Sequence, residues 1–183
     1  MKNITLKGPR ITLRPVKLSD APAFLRWFRD KKVIKYLLSQ NQWALSLEQE
    51  QKYLRARFKD KNLYFRSVEN EDGELIGNTR ISLNTNDRRA TFGIVIGEKS
   101  QWGKGYAGEI LNLWKEFVFE KLKYNRLELI VQMNNTSAVH AYKKAGFVLE
   151  GVQRKCAWNL VTKKFEDDGI MSILRSEWLK KKK

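Results

Sequence analysis

This sequence predicts an α/β (α+β) fold with one mixed, largely antiparallel twisted sheet flanked by helices, on three observations. Three β-like runs succeed one another between residues 63 and 96, the first two separated by an Asp72-Gly73 step of the hairpin type. The strongest helical periodicity in the chain begins directly after them, with Tyr106, Ile110, Leu113, Trp114, Phe117 and Val118 on one face. A strand, a short capped helix and two further strands then close the chain, so helices and strands alternate only in its second half.

Residues 5–16, with Ile11 and Leu13 ahead of Pro15, read as a first strand. Ser19 and Asp20 open an amphipathic helix carrying Phe24, Leu25, Trp27 and Phe28. Ser46, Leu47, Glu48 and Gln49 resemble a capping box that leads a second helix to about Lys59. Residues 63–68 and 75–83, joined through Asn70, Glu71, Asp72 and Gly73, and a third run with Phe92, Ile94 and Ile96 are expected to form an antiparallel meander. The long helix spans 103–122, and Leu127, Leu129 and Val131 alternate as the next strand. Asn134 or Asn135 caps a helix through Ala138, Ala141, Tyr142 and Ala145, and Gly146 stands where a left-handed C-cap belongs. Residues 147–159 and 165–174 make two last strands around Thr162, Lys163 and Lys164, followed by a basic tail at about 180–183.

With 183 residues and 42% hydrophobic content, the chain can form a single domain over 1–183 that buries roughly 70% of its unfolded surface. One cysteine excludes an internal disulfide framework, and with no signal-like segment it points to the cytoplasm. Cys156 is expected as a small packed hydrophobe and His140 as a solvated helix residue, two helical positions from Tyr142 and on another face. A single histidine and a single cysteine cannot build a His/Cys zinc site, so no metal is expected. No apolar run approaches a membrane span. The formal charge of +16 attracts anions, leaving nucleic acid or a ribosomal contact open as partners, and repels a polycation.

Gly103, Lys104, Gly105, Tyr106, Ala107 and Gly108 spell G-x-G-x-x-G, with Glu128 about 20 residues on, as in a dinucleotide-binding turn. Glu98, Lys99, Ser100, Gln101 and Trp102 separate that turn from the preceding strand, however, and Glu128 falls at the start of its strand instead of the end. Glycines ahead of a long helix let several N–H groups point at one anion, with the helix's positive end behind them, and Lys104 adds a charge. That is a pyrophosphate cradle, or else a plain Gly-rich turn.

Three segments together resemble the core motifs of the GNAT superfamily of acetyl-CoA-dependent N-acetyltransferases. They are Gly93 with Ile94, Val95, Ile96 and Gly97; Trp102 to Ala107; and Asn135, Thr136, Ser137 through Tyr142 to Gly146 and Phe147. The opening Ile11, Thr12, Leu13, Arg14, Pro15 and the closing Met171, Ser172, Ile173, Leu174, Arg175 are similar to the branch with ribosomal-protein N-terminal and spermidine acetyltransferases.

The resemblance implies that Ile94, Val95 and Ile96 offer backbone groups to the pantetheine arm, that Trp102 through Gly108 hold the pyrophosphate, and that Asn135 contacts the cofactor. It further implies that Tyr142 assists the departing thiolate, that acetyl-CoA is the co-substrate, and that a homodimer is allowed. Many relatives carry a glutamate where this chain has Thr91, so the carboxylate base is missing there. At pH 7 the neutral form of an α-amine costs only about 1.4 kcal/mol, that of a polyamine nitrogen about 4.6. With the charge of +16, this favours a protein N-terminal α-amine or an amino sugar as acceptor, in a peptide or small molecule. A polyamine is the alternative, and a non-catalytic acyl-CoA- or nucleic-acid-binding module is an alternative of another class. The acceptor pocket is expected from the first two helices, residues 36–43 and the last hairpin with Trp158.

Overall fold

The computed structural model describes residues 4–37 and 46–180. The strands are β1 (Leu6–Lys7), β2 (Thr12–Pro15), β3 (Leu63–Glu69), β4 (Leu75–Asn84), β5 (Arg89–Ile96), β6 (Arg126–Gln132), β7 (Val148–Asn159) and β8 (Lys164–Leu174). The helices are α1 (Ala21–Arg29), α2 (Lys31–Ile34), α3 (Leu47–Lys59), α4 (Tyr106–Glu116), α5 (Thr136–Lys144) and α6 (Arg175–Lys180). Among the described residues these eight strands share one sheet in the order β1-β2-β3-β4-β5-β6-β8-β7, in which only β5 and β6 run parallel.

Several elements depart from the sequence expectation for local reasons. The first strand is two short ones, because Gly8 turns the chain, its N–H closing on the Ile11 carbonyl at 2.8 Å, and Pro9 has no donor for a ladder. Residues Leu18–Asp20 form a 3₁₀ turn and the α-helix starts only at Ala21. The Asp20 carboxylate does not cap that helix; it takes the Arg14 guanidinium at 2.8 and 2.9 Å, the Lys17 N–H at 2.8 Å and the Ser67 hydroxyl at 2.7 Å. The long helix begins at Tyr106 instead of Gly103, and its end widens into a π turn over Phe117–Lys121. The tail is partly helical: Trp178 packs against Phe119 at 5.5 Å, so Lys180 ends α6, while 181–183 lie outside the described residues.

Other expectations match. Ser46 accepts from the Gln49 N–H at 3.2 Å and Gln49 returns a bond to the Ser46 N–H at 3.1 Å, completing the capping box at α3. The β3-β4-β5 meander turns at Gly73, with φ +77°. Asn135 caps α5, and Gly146 follows it with φ +97°.

Alternation along the strands gives the sheet two apolar faces. Ala90, Phe92, Leu127, Leu129, Met171 and Ile173 meet α4 and α5 through Ile110, Trp114 and Tyr142. On the other face Phe24, Trp27 and Leu54 of α1 and α3 pack with Phe65 and Val95. Each such fully buried side chain contributes about 2–3 kcal/mol. No helix among the described residues is long and apolar enough to cross a membrane.

Candidate functional site

The site begins where a ladder stops. β4 and β5 stay in register from Asn84↔Arg89 to Gly77↔Ile96, whereas β5 and β6 pair only at Arg89↔Arg126, Ala90↔Leu127 and Thr91↔Glu128. Beyond Thr91 the two parallel strands separate, and the edge of β5 facing β6 has no partner strand among the described residues. Backbone groups of alternate residues point to opposite neighbours. The Gly97 N–H reaches the Ile76 carbonyl at 2.9 Å on the β4 side, and Val95 pairs with Asn78. Ile94 and Ile96 therefore face the gap, and Val95 does not. The Ile96 carbonyl already accepts from the Trp102 indole N–H at 2.8 Å.

The glycine loop closes the wide end of this gap. Gly103 and Gly105 have φ of +77° and +85°, conformations that cost other residues about 1–2 kcal/mol. Gly105 serves as the left-handed N-cap of α4. Residues 102–105 are exposed, Tyr106 is buried, and Ala107 and Gly108 are half-buried. The loop is braced from both sides. Arg10 bonds Glu109 at 2.6 Å and the Lys104 carbonyl at 3.1 Å, and lies 4.9 Å over the Tyr106 ring. The Tyr106 hydroxyl donates to Glu71 at 2.8 Å, and Lys104 Nζ donates to Gln101 at 2.8 Å. The Tyr106 side chain is thus a structural tie, leaving its backbone as the part available to an anion.

Tyr142 packs on the α4/α5 face, edge-on to Phe92 at 6.4 Å, one residue past the last β5–β6 pair, and 6.1 Å from Phe147. Burial pushes its phenol up to about 12, so it stays a donor throughout the neutral range. The Asn135 side chain is engaged as the α5 cap, accepting from the Ala138 N–H at 3.3 Å and the Ser137 hydroxyl at 3.0 Å. His140 is exposed on α5, as expected. Cys156 is exposed as well, which corrects the expectation of a packed hydrophobe: it lies where β7 loses register against β8.

At the apex, Thr91 donates to Glu128 at 3.3 Å, and the same carboxylate takes Arg89 at 2.6 Å and Arg126 at 2.7 Å. Burial works to raise the Glu128 carboxyl, but the Arg126 hydrogen bond and the Arg89 charge hold it below the usual carboxylate range. This disposes of Glu128 as a ribose ligand. It also places a carboxylate beside Thr91 that sequence spacing could not reveal, because the register of two parallel strands is not written in either one. Two further buried carboxylates went unread in the sequence: Glu50 and Asp168 each have an oxygen without a hydrogen-bond partner. Of the expected acceptor pocket, residues 38–43 lie outside the described residues, and Trp158 is exposed 5.0 Å from Phe165. No group of three or more potential ligands able to hold a metal occurs among the described residues.

Comparison with known proteins adds a consistent frame. The profile of the acetyltransferase (GNAT) domain matches residues 10–148. The chain is 34% identical over 113 residues to a spermidine N(1)-acetyltransferase of Vibrio cholerae, covering 61% of this chain and 64% of that one. It is 26% identical over 180 residues to the uncharacterized N-acetyltransferase p20 of Bacillus licheniformis, covering 95% and 98% respectively. A solved spermidine N-acetyltransferase from Vibrio cholerae, in complex with CoA and spermine, superposes with a TM-score of 0.85 at 25% identity, over 94% of this chain and 99% of that one.

Proposed function

This chain belongs to the GNAT acetyltransferase family and is an acetyl-CoA-dependent N-acyltransferase, and on that premise we propose that its acceptor is a primary amine of a small di- or polyamine. The unfinished β5–β6 ladder supports the catalytic part of this reading: it leaves the Ile94 and Ile96 N–H groups facing a gap that opens beside Phe92, the residue Tyr142 packs against. The Gly103–Gly105 loop would hold the pyrophosphate at the positive end of α4, with Trp102, Lys104 and the backbone through Gly108 around it. The pantetheine would lie along β5, and Asn135 would act through its cap at the start of α5. Acetyl-CoA supplies an activated thioester.

The neutral acceptor nitrogen attacks the acetyl carbon, the carbonyl oxygen gathers charge against the β5 N–H groups, the new ammonium nitrogen sheds its extra proton to solvent, and the C–S bond breaks as the tetrahedral intermediate collapses to the amide. A thiol has a pKa near 8.5, well below the Tyr142 phenol at about 12. Tyr142 therefore donates a hydrogen bond to the leaving sulfur without surrendering its proton, and solvent protonates the thiolate afterwards. Glu128, held low by two guanidiniums, anchors the apex and does not titrate near neutrality. The acceptor must lose its own proton before attack, so kcat/KM should rise about tenfold per pH unit between 7 and 9 for an amine of pKa near 10.4.

The choice of acceptor leans on the spermidine N-acetyltransferases among the relatives, against the α-amine or amino sugar first favoured by the sequence. Thr91 keeps that second reading in view, since a lower-pKa amine has less need of a base. A panel of spermidine, 1,4-diaminobutane, peptide N-termini and amino sugars, followed by released thiol, separates them. Spermidine should exceed the others at least tenfold in kcat/KM; a peptide or amino sugar ahead of it would reverse the assignment.

A further inference from the structure

The residues Glu166, Asp167 and Asp168 form a run of three carboxylates in a chain of net charge +16. Two of them are accounted for: Glu166 accepts from the Thr162 hydroxyl at 2.8 Å and Asp167 from the Lys155 N–H at 2.8 Å. Asp168 differs. It is only 6% exposed, and its Oδ1 has no hydrogen-bond partner; the Cys156 thiol is a hydrogen-bond neighbour of the carboxyl. A buried carboxylate oxygen left unmatched costs several kcal/mol unless something positive or hydrogen-bonding completes it.

Its place in the sheet says what that could be. Asp168 is paired across β8 with Gln132 of β6 and with Gln153 of β7, and directly paired residues project to the same face. That face is opposite the one packed by Leu129, Val131 and Met171, and it is the face of Glu128 and of Ile130, which is 43% exposed. Along β6, Gln132 lies about 13 Å past Glu128, at the wide end of the gap. Gln132 accepts from Asn159 Nδ2 at 3.2 Å, and Asn159 also donates to the Lys35 carbonyl at 2.7 Å. The polar group beside Asp168 is thereby tied to the segment after α2. Beside it β7 and β8 slip register between Gln153 and Ala157, and burial with the charges of Asp167 and Glu166 holds the Asp168 carboxyl above its ordinary range.

We infer that Asp168 receives a second positive charge of the acceptor, distant from the nitrogen that is acetylated, and so is a specificity-determining residue for diamines. The inference rests on the di- or polyamine reading above. The overall charge does not oppose it at contact range, because salt screens the surface field over about 8 Å, whereas a buried ion pair is screened much less.

The test compares wild type with Asp168→Asn, an isosteric change that removes the charge. The expected result is a rise in KM for spermidine of at least tenfold, with kcat and the KM for acetyl-CoA within twofold of wild type and a Tm equal to or above it. Spermidine should also raise the Tm of the CoA-loaded wild type and not that of D168N. An unchanged KM for spermidine in an active D168N overturns the inference while leaving the polyamine reading intact. A D168N that is unfolded, or that loses Tm and kcat together, marks the carboxylate as structural and overturns it too. A wild type that acetylates no polyamine removes both.

Discussion

The two edges of β5 make opposite use of the same backbone. Toward β4 the strand is fully paired, and Gly77 sits so close that a Cβ there would collide with the Val95 carbonyl. Toward β6 pairing ends at Thr91 and Glu128, and the Ile94 and Ile96 N–H groups face the gap beyond it. On the reading proposed above, the binding site comes from leaving a sheet unfinished on one side while over-determining it on the other. Damage to the closed edge should appear as lost stability, and damage around the open edge as lost activity.

The largest expected effect is at the open edge. Tyr142→Phe should lower kcat by about 100-fold, the scale of one donor to developing charge, with the KM for acetyl-CoA and the Tm little changed; an unaltered kcat removes Tyr142 from the leaving-group role. On the closed edge, Gly77→Ala should cost about 3 kcal/mol through backbone displacement, read as a fall in Tm of about 6–12 °C. If the folded fraction of G77A keeps wild-type kcat, the division between the edges is sharpened; if G77A is as stable as wild type, it is broken.

Glu50 supplies an effect that depends on pH. Burial raises its carboxyl from 4.5 to about 7, so the folded chain holds a proton that the unfolded chain has released between those values. Its contribution to stability is therefore full below about pH 4.5, falls as pH climbs to about 7, and is flat beyond. Glu50→Gln should add about 2 kcal/mol at pH 8 and nothing at pH 4, as thermal melts at the two pH values would show. The smallest effect is at the loop: Gly105→Ala, forced to φ +85°, should weaken CoA about tenfold by calorimetry and lower Tm by only about 2–4 °C.

The sequence carried the parts of this fold that obey local rules. The apolar face of α4, the Ser46 cap, the Asp72-Gly73 turn and the Asn135 cap each depend on neighbours within a few positions, and all are found. The left-handed glycines at 103 and 105 and the place of Tyr142 on α5 were legible for a related reason, since turn and cap chemistry is written in consecutive residues. What could not be read depends on partners distant in the chain. Asp20 looked like a helix cap and is instead the centre of a bond network joining β2 and β3. Cys156 looked like a core residue until the slip in the β7–β8 register left it outside. Glu128, Glu50 and Asp168 look like ordinary surface carboxylates in one dimension; strand register and helix packing decide that one is clamped and that two have unmatched oxygens.

Hydrogen exchange on the backbone amides of β5, with and without saturating CoA, tests the asymmetry of the strand most directly. The Val95 amide should exchange slowly in both states. Those of Ile94 and Ile96 should exchange quickly in the free protein and become at least tenfold slower when CoA is bound. Equal protection of all three amides before CoA is added, or no change at Ile94 and Ile96 on saturation, would contradict the assignment of the open edge as the acetyl-CoA site.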